Sequence, residues 1–319
     1  MRVVTLEEHF VVPSLIQKSG IGGAFANSLD PGIRSALGDL GEKRLGAMDH
    51  ADITVQVLSA AAPGADLLDG PAGVEFASAT NDVLAEAVRQ HPLRYAGFAH
   101  LPMRSPEAAA DELERAVSRL GFRGALINGT TQGLFLDDER FAPILARAEK
   151  LDVPIYIHPA LPPESVRKAY YDGLPGNRGF LLSMAGFGWH VEVGLHVLRM
   201  VLAETFVRHP SLKVVIGHMG ETLPFMLDRA QQVFQGQAKP VALKETILKH
   251  VWLTTSGFFT LPPFISALLT FGAERILFSV DYPFSAPREG RDFLMALPLS
   301  ESDREKIAHG NADQLLRLR

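Results

Sequence analysis

Near the start of the chain, Glu7, Glu8 and His9 close a run that reads VVTLEEHF over 3–10. In an extended strand alternate side chains share a face, so Glu7 and His9 point one way and Glu8 the other. A carboxylate and an imidazole on one face can bind a divalent cation together, or they can simply finish a strand at the surface. Further along, LINGT carries Asn128, IYIHP carries His158, GHMGE carries His218 and Glu221, and SVDYPF carries Asp281. These are the residue types that ligate cations and move protons near neutral pH. Singly, each also has a structural explanation. His158 can be a hydrogen-bonded strand end, Asp281 can cap a turn, and Glu221 can be a first-turn carboxylate favoured by a helix dipole.

Composition narrows the chemistry. The 319 residues include no cysteine, which excludes disulfides and thiolate metal sites, so any metal must be held by His, Asp or Glu. A formal net charge of -5, with no cluster of Lys or Arg, gives nucleic acid nothing to bind. Apolar residues at 47% and charged residues at 21% fit a globular protein with a large core. The apolar stretch 191–201 is broken by Glu192, His196 and Arg199, so no membrane span is expected. Residues 1–10 lack the features of a secretory signal, and a cytoplasmic location is expected.

Eight elements must position these groups. Short β-branched runs fall at 3–9, 53–59, 94–100, 122–128, 153–159, 212–218, 251–256 and 275–281. Helical patterns alternate with them at 42–52, 73–91, 106–120, 138–151, 190–209, 221–235, 262–271 and 290–297, and a last helix covers 302–317. Several strands are continuously apolar, as parallel strands buried on both faces are. The pattern predicts an α/β fold, a single (β/α)8 TIM barrel over 1–319, with one domain and a C-terminal helix. The rival doubly wound sheet needs a Gly-rich turn after the first strand, and LEEHFVVP has no glycine. Long connections at 10–41 and 160–189 follow the first and fifth strands on the face where barrels carry their sites. Phe25, Phe180, Phe187 and Trp189 in these connections are candidates for pocket walls or subunit contacts. His50, His91, His190, His196, His209, His250 and His309 fall on helices or their ends and are expected at helical surfaces.

In a barrel all the strand-end groups would converge on one mouth. With that placement, Glu7-x-His9, His158, His218 and Asp281 resemble the amidohydrolase superfamily. TLEEHF, MDHADITVQVLS, GALINGT, IYIHP, GHMGE and FSVDYPF are more closely similar to its decarboxylase branch. That branch is the group of γ-resorcylate (2,6-dihydroxybenzoate) and aminocarboxymuconate-semialdehyde decarboxylases. The resemblance implies Glu7, His9, His158 and Asp281 as metal ligands, Asp281, His218 and Glu221 as catalytic groups, and Arg229 as the grip on a substrate carboxylate. Arg229 lies eight residues, about two helical turns, beyond Glu221. Many superfamily members begin with H-x-H, where this chain has Glu7.

LINGT offers no bridging lysine or glutamate, so one ion is expected. Glu7 and Asp281 would neutralise a divalent ion, and an oxygen–nitrogen shell suits Zn2+ or Mn2+. The implied activity is that of a metal-dependent carbon–carbon lyase, non-oxidative decarboxylation of a hydroxylated aromatic or related conjugated carboxylic acid, with no organic cofactor. A metal-dependent hydrolase of a lactone or amide would use the same residues and stays open, as does a non-catalytic barrel. A small-molecule carboxylate partner and a homodimer or homotetramer are expected by the same resemblance.

Overall fold

The structure, a computed structural model, describes residues 1–20 and 29–318. Its strands are β1 (Val4–Phe10), β2 (Val55–Ala60), β3 in two pieces (Tyr95–Gly97 and Ala99–His100) and β4 (Ala125–Asn128). They continue as β5 (Ile155–His158), β6 (Val214–Ile216), β7 (Val251–Thr254) and β8 (Ile276–Leu277). Every pairing is parallel and follows chain order. The break in β3 falls at Phe98, whose N–H donates to Leu58, whereas the Ala99 N–H donates to Gly124. One strand therefore bonds β2 with its first half and β4 with its second. This is the (β/α)8 barrel that the alternating pattern predicts.

No backbone ladder joins β8 to β1 among the described residues. One backbone bond, from the His9 N–H to the Tyr282 carbonyl at 2.7 Å, crosses the seam, and side chains close the rest. Ser279 Oγ accepts the N–H groups of Leu6 (3.2 Å) and Glu7 (2.7 Å) and donates to Glu8 Oε1 at 3.1 Å. Glu8 also accepts from the N–H groups of Val280 and Tyr282 and from Gln56 Nε2. The side chain on the outer face of EEH thus holds the barrel shut. The fully buried Arg44 backs it, donating to Gln56 Oε1 and to the His9 carbonyl.

The predicted helices form with shifted ends: Glu42–His50, Gly70–Gln90, Pro106–Ser118, Ala142–Leu151, Leu223–Gln235, Leu261–Phe271 and Pro287–Ala296. Most start at a first-turn proline, whose missing N–H costs nothing there. The expected helix over 190–209 is instead Gly188–Leu202 and Thr205–Arg208, parted by Glu204 in the left-handed region at φ 58°. The C-terminal helix is interrupted by a π turn at Lys306–Gly310. A further helix, Leu243–His250, escaped the pattern because only Leu243, Ile247 and His250 on it are buried. The long connections carry short helices of their own, including Glu164–Tyr170 and Arg178–Ser183.

Inside the barrel, Val4, Leu6, Val55, Val57, Leu126, Tyr156 and Val215 form one packed cluster, with Leu315 and Leu316 of the last helix against it. The larger core lies between the strands and the surrounding helices.

Candidate metal centre

In β1 the inward residues change parity. Val4 and Leu6 belong to the interior cluster, and Val4 is in register with Val55. Between Thr5 and Glu8 the register slips by one residue, after which His9 lies opposite Ser59. Such a bulge re-aims the side chains beyond it. Here it turns Glu7 and His9 to the inner side that Val4 and Leu6 occupy below.

There the expected ligands meet. Glu7 Oε1 lies 3.3 Å from His158 Nε2 and 3.9 Å from His9 Nε2, and His9 Nε2 lies 3.2 Å from Asp281 Oδ1. Glu7, His9, His158 and Asp281 each bring a donor atom within 4.8 Å of the others. Glu7 Oε1, His9 Nε2 and Asp281 Oδ1 are buried, and none has a hydrogen-bond partner among the described residues. Two donors about 2.0–2.2 Å from one ion stand roughly 3.3–3.6 Å apart at tetrahedral angles. The spacing, the orphaned atoms and the sulfur-free donor set all fit one divalent cation.

The other half of Glu7 is fixed. Tyr156 donates its hydroxyl to Glu7 Oε2, and Thr254 Oγ1 lies 2.8 Å from the Tyr156 oxygen. Tyr156 and His158 share a face of β5, so one strand supplies both an expected ligand and the clamp for another. Burial and the neighbouring His9 and His218 push the His158 pKa well down, which keeps it the neutral imidazole that a metal requires. Burial raises the Glu7 carboxyl. Burial would raise Asp281 too, but the neighbouring His218 and His9 imidazoles hold it at about 2.

Beside this cluster, His218 Nδ1 lies 2.6 Å from Glu221 Oε1, as the three-residue spacing predicts. Its Nε2 lies 3.5 Å from Glu7 Oε1 and 3.9 Å from Asp281 Oδ2. Burial alone would lower the His218 pKa, but the Glu221 and Glu7 carboxylates carry it well above the usual histidine value. The turn that makes the contact is strained. His218, Met219, Glu221 and Thr222 have φ between 46° and 71°, and Asp281 has φ 73°. Five non-glycine residues in the left-handed region, each costing on the order of 1–3 kcal/mol, persist only where the surroundings over-determine them.

Several expectations change. His190, expected on a helical surface, is buried with Nδ1 2.6 Å from Glu221 Oε2. The helix beginning at Gly188 turns this face inward, a fact no local pattern carries. His196 and His250 are also buried, His196 Nε2 accepting the Leu136 N–H and His250 Nδ1 donating to the Leu212 carbonyl. Asn128, in register with His158, donates to Asp66 Oδ2 at 3.0 Å and stands outside the cluster. Trp189 packs edge-on to His158 at 6.4 Å between centroids, while Phe180 and Phe187 are exposed. Phe25 lies outside the described residues. Two further rings flank the site, Phe284 against His9 and Phe258 against His218, neither of them anticipated. Arg229 is exposed on the helix that follows Glu221 and forms no ion pair among the described residues.

A parallel eight-stranded barrel with carboxylates and imidazoles converging at its strand ends defines a class, the metal-dependent barrel enzymes. The chain belongs to the amidohydrolase family, whose profile matches residues 9–318. It is 38% identical to the decarboxylase orsB of Emericella nidulans, over 99% of this chain and 97% of that one. It is 37% identical to the γ-resorcylate decarboxylase of a Polaromonas species, over 99% and 98% of the two chains. A crystal structure of a dihydroxybenzoic acid decarboxylase from Polaromonas, with bound manganese and the inhibitor 2-nitroresorcinol, superposes with a TM-score of 0.89. The identity there is 35%, covering 99% of this chain and 97% of that one. No helix among the described residues is long and apolar enough to cross a membrane.

Proposed function

We propose that the protein is a metal-dependent, non-oxidative decarboxylase of a hydroxylated aromatic acid. The observation that carries this reading is the set of three buried, unpartnered donor atoms on Glu7, His9 and Asp281, set beside the His218–Glu221 pair. Glu7, His9, His158 and Asp281 would hold one divalent ion, manganese or zinc, with no organic cofactor. When bound, the ion supplies Lewis-acid stabilisation of negative charge on the substrate oxygens.

The protein's own groups handle the proton. Asp281 rests as a carboxylate, so it must first receive the proton it later delivers. His218, whose raised pKa keeps it protonated, faces Asp281 Oδ2 and is the proton's source. Asp281 passes the proton to the ring carbon that bears the carboxylate. The bond from that carbon to the carboxylate then breaks, its electron pair returns to the ring, and carbon dioxide leaves. Glu221 orients His218 through Nδ1. Arg229 would grip the substrate carboxylate.

We further infer one domain over 1–319, supported by a core that runs from Val3 to Ala308. A homodimer or homotetramer would cover the exposed Phe180, Leu181, Leu182 and Phe187 of the segment after β5.

The test is turnover of a hydroxybenzoate panel by metal-reconstituted enzyme, followed by carbon dioxide release. Activity that vanishes in Asp281→Asn and loses at least about tenfold in kcat/KM in Arg229→Met is the expected result. Silence across the panel at stoichiometric metal would move the assignment to lactone or amide hydrolysis.

A further inference from the structure

Glu221 is fully buried, and each of its oxygens meets an imidazole Nδ1 at 2.6 Å, Oε1 on His218 and Oε2 on His190. His190 comes from a different part of the chain. It begins the helix Gly188–Leu202, directly after the long segment that follows β5. Its second nitrogen, Nε2, lies 3.1 Å from the carbonyl oxygen of Ala185 in that segment. A carbonyl only accepts, so Nε2 carries a proton. If Glu221 is ionised it also only accepts, and Nδ1 must then carry a proton as well. Burial by itself would raise the Glu221 pKa, but His218 and His190 hold it below the usual carboxylate value. Separations of 2.6 Å are those of charge-assisted bonds. Phe258 packs edge-on against both imidazoles, at 5.2 Å from His190 and 5.7 Å from His218. Among the described residues, the titratable groups touching His190 are Glu221 and His218.

We propose that His190 is a positioning residue for the reaction: a doubly protonated imidazolium that fixes the Glu221 carboxylate and, through it, the Nδ1–H and ring orientation of His218. Among the described residues its hydrogen-bond and ring partners are Glu221, Ala185, His218 and Phe258, none of them in the ligand cluster. Its work is to satisfy the second oxygen of a buried anion that would otherwise be left half-partnered in a dry site. Because Nε2 holds Ala185, the same ring ties the segment after β5 to the GHMGE turn.

The kinetic part of this inference rests on the decarboxylase reading; the protonation state does not. Ring-15N NMR of the zinc-loaded enzyme at neutral pH reads the latter directly. Both His190 nitrogens are expected in the protonated range, and a bare nitrogen on His190 overturns the proposal. Two variants then separate positioning from packing. The side-chain amide nitrogen of asparagine superposes on Nδ1 of histidine, and that of glutamine reaches towards Nε2. His190→Asn should retain kcat within about tenfold, while His190→Gln should lose about 10–100-fold, both with unchanged KM and metal content. Equal losses in the two variants, or losses carried by KM, would show that the ring merely fills space. If the wild type decarboxylates nothing, the function assigned above fails, and the NMR result still decides the state of His190.

Discussion

Ser279 Oγ and Glu8 Oε1 stand 3.1 Å apart across the junction of β8 and β1, where no backbone ladder forms. Burial pushes the Glu8 pKa up to about 7, yet the Ser279 hydroxyl, two backbone N–H groups and the Gln56 amide all donate to it, which favours the carboxylate. Glu8→Ala would strand those donors in the dry seam, at about 1–3 kcal/mol for each one left unpaired. A loss on the order of 3 kcal/mol or more in urea unfolding is expected, together with weaker metal binding, because Glu7 and His9 flank the seam. A loss below about 1 kcal/mol would mean that the barrel closes by other means.

Tyr156 clamps Glu7 Oε2, the oxygen turned away from the His158 ring. Tyr156→Phe keeps the packing of a fully buried ring and removes one hydroxyl. Metal affinity should fall about 10–100-fold, as is usual when the partner of a ligand is lost. Competition with a chelator measures it, and unchanged affinity would show that Glu7 needs no clamp.

Acid should destabilise the fold through two buried histidines outside the metal cluster. Burial lowers His100 to about 4 and His196 to about 3, each accepting a backbone N–H through its neutral ring. The unfolded value is about 6.5, so below that pH the unfolded chain binds protons that the folded chain refuses. The stability they contribute is complete above about pH 6.5 and is lost as the pH falls towards 4 and 3. Melting temperature should therefore drop between pH 7 and 4.5, by the equivalent of roughly 1.4 kcal/mol per unit for each group. The pair variant His100→Asn, His196→Asn should show a shallower decline; an unaltered slope would assign acid sensitivity to the carboxylates alone.

By itself the sequence determined the order of eight strands and helices, the face on which the active groups stand and the identity of all four clustered residues. These are local properties. Apolar period fixes an element's type, and a polar residue at the end of an apolar strand is conspicuous because burial removes alternatives. Glu8 was likewise legible as the residue turned away from Glu7 and His9. What only the tertiary structure decided is where distant residues meet. The bulge between Thr5 and Glu8 reverses the inward parity of β1, and without it Glu7 and His9 would face away from the side that Val4 and Leu6 fill. Strict alternation along one strand cannot show this, because the slip is set by pairing with β2. His190 was misplaced for a similar reason. A histidine on an amphipathic helix is satisfied by whichever partner the packing brings, and its partner, Glu221, lies 31 residues away on another element. Tyr156 read as one more apolar residue of a buried strand, because the hydroxyl that holds Glu7 has a meaning only across the barrel.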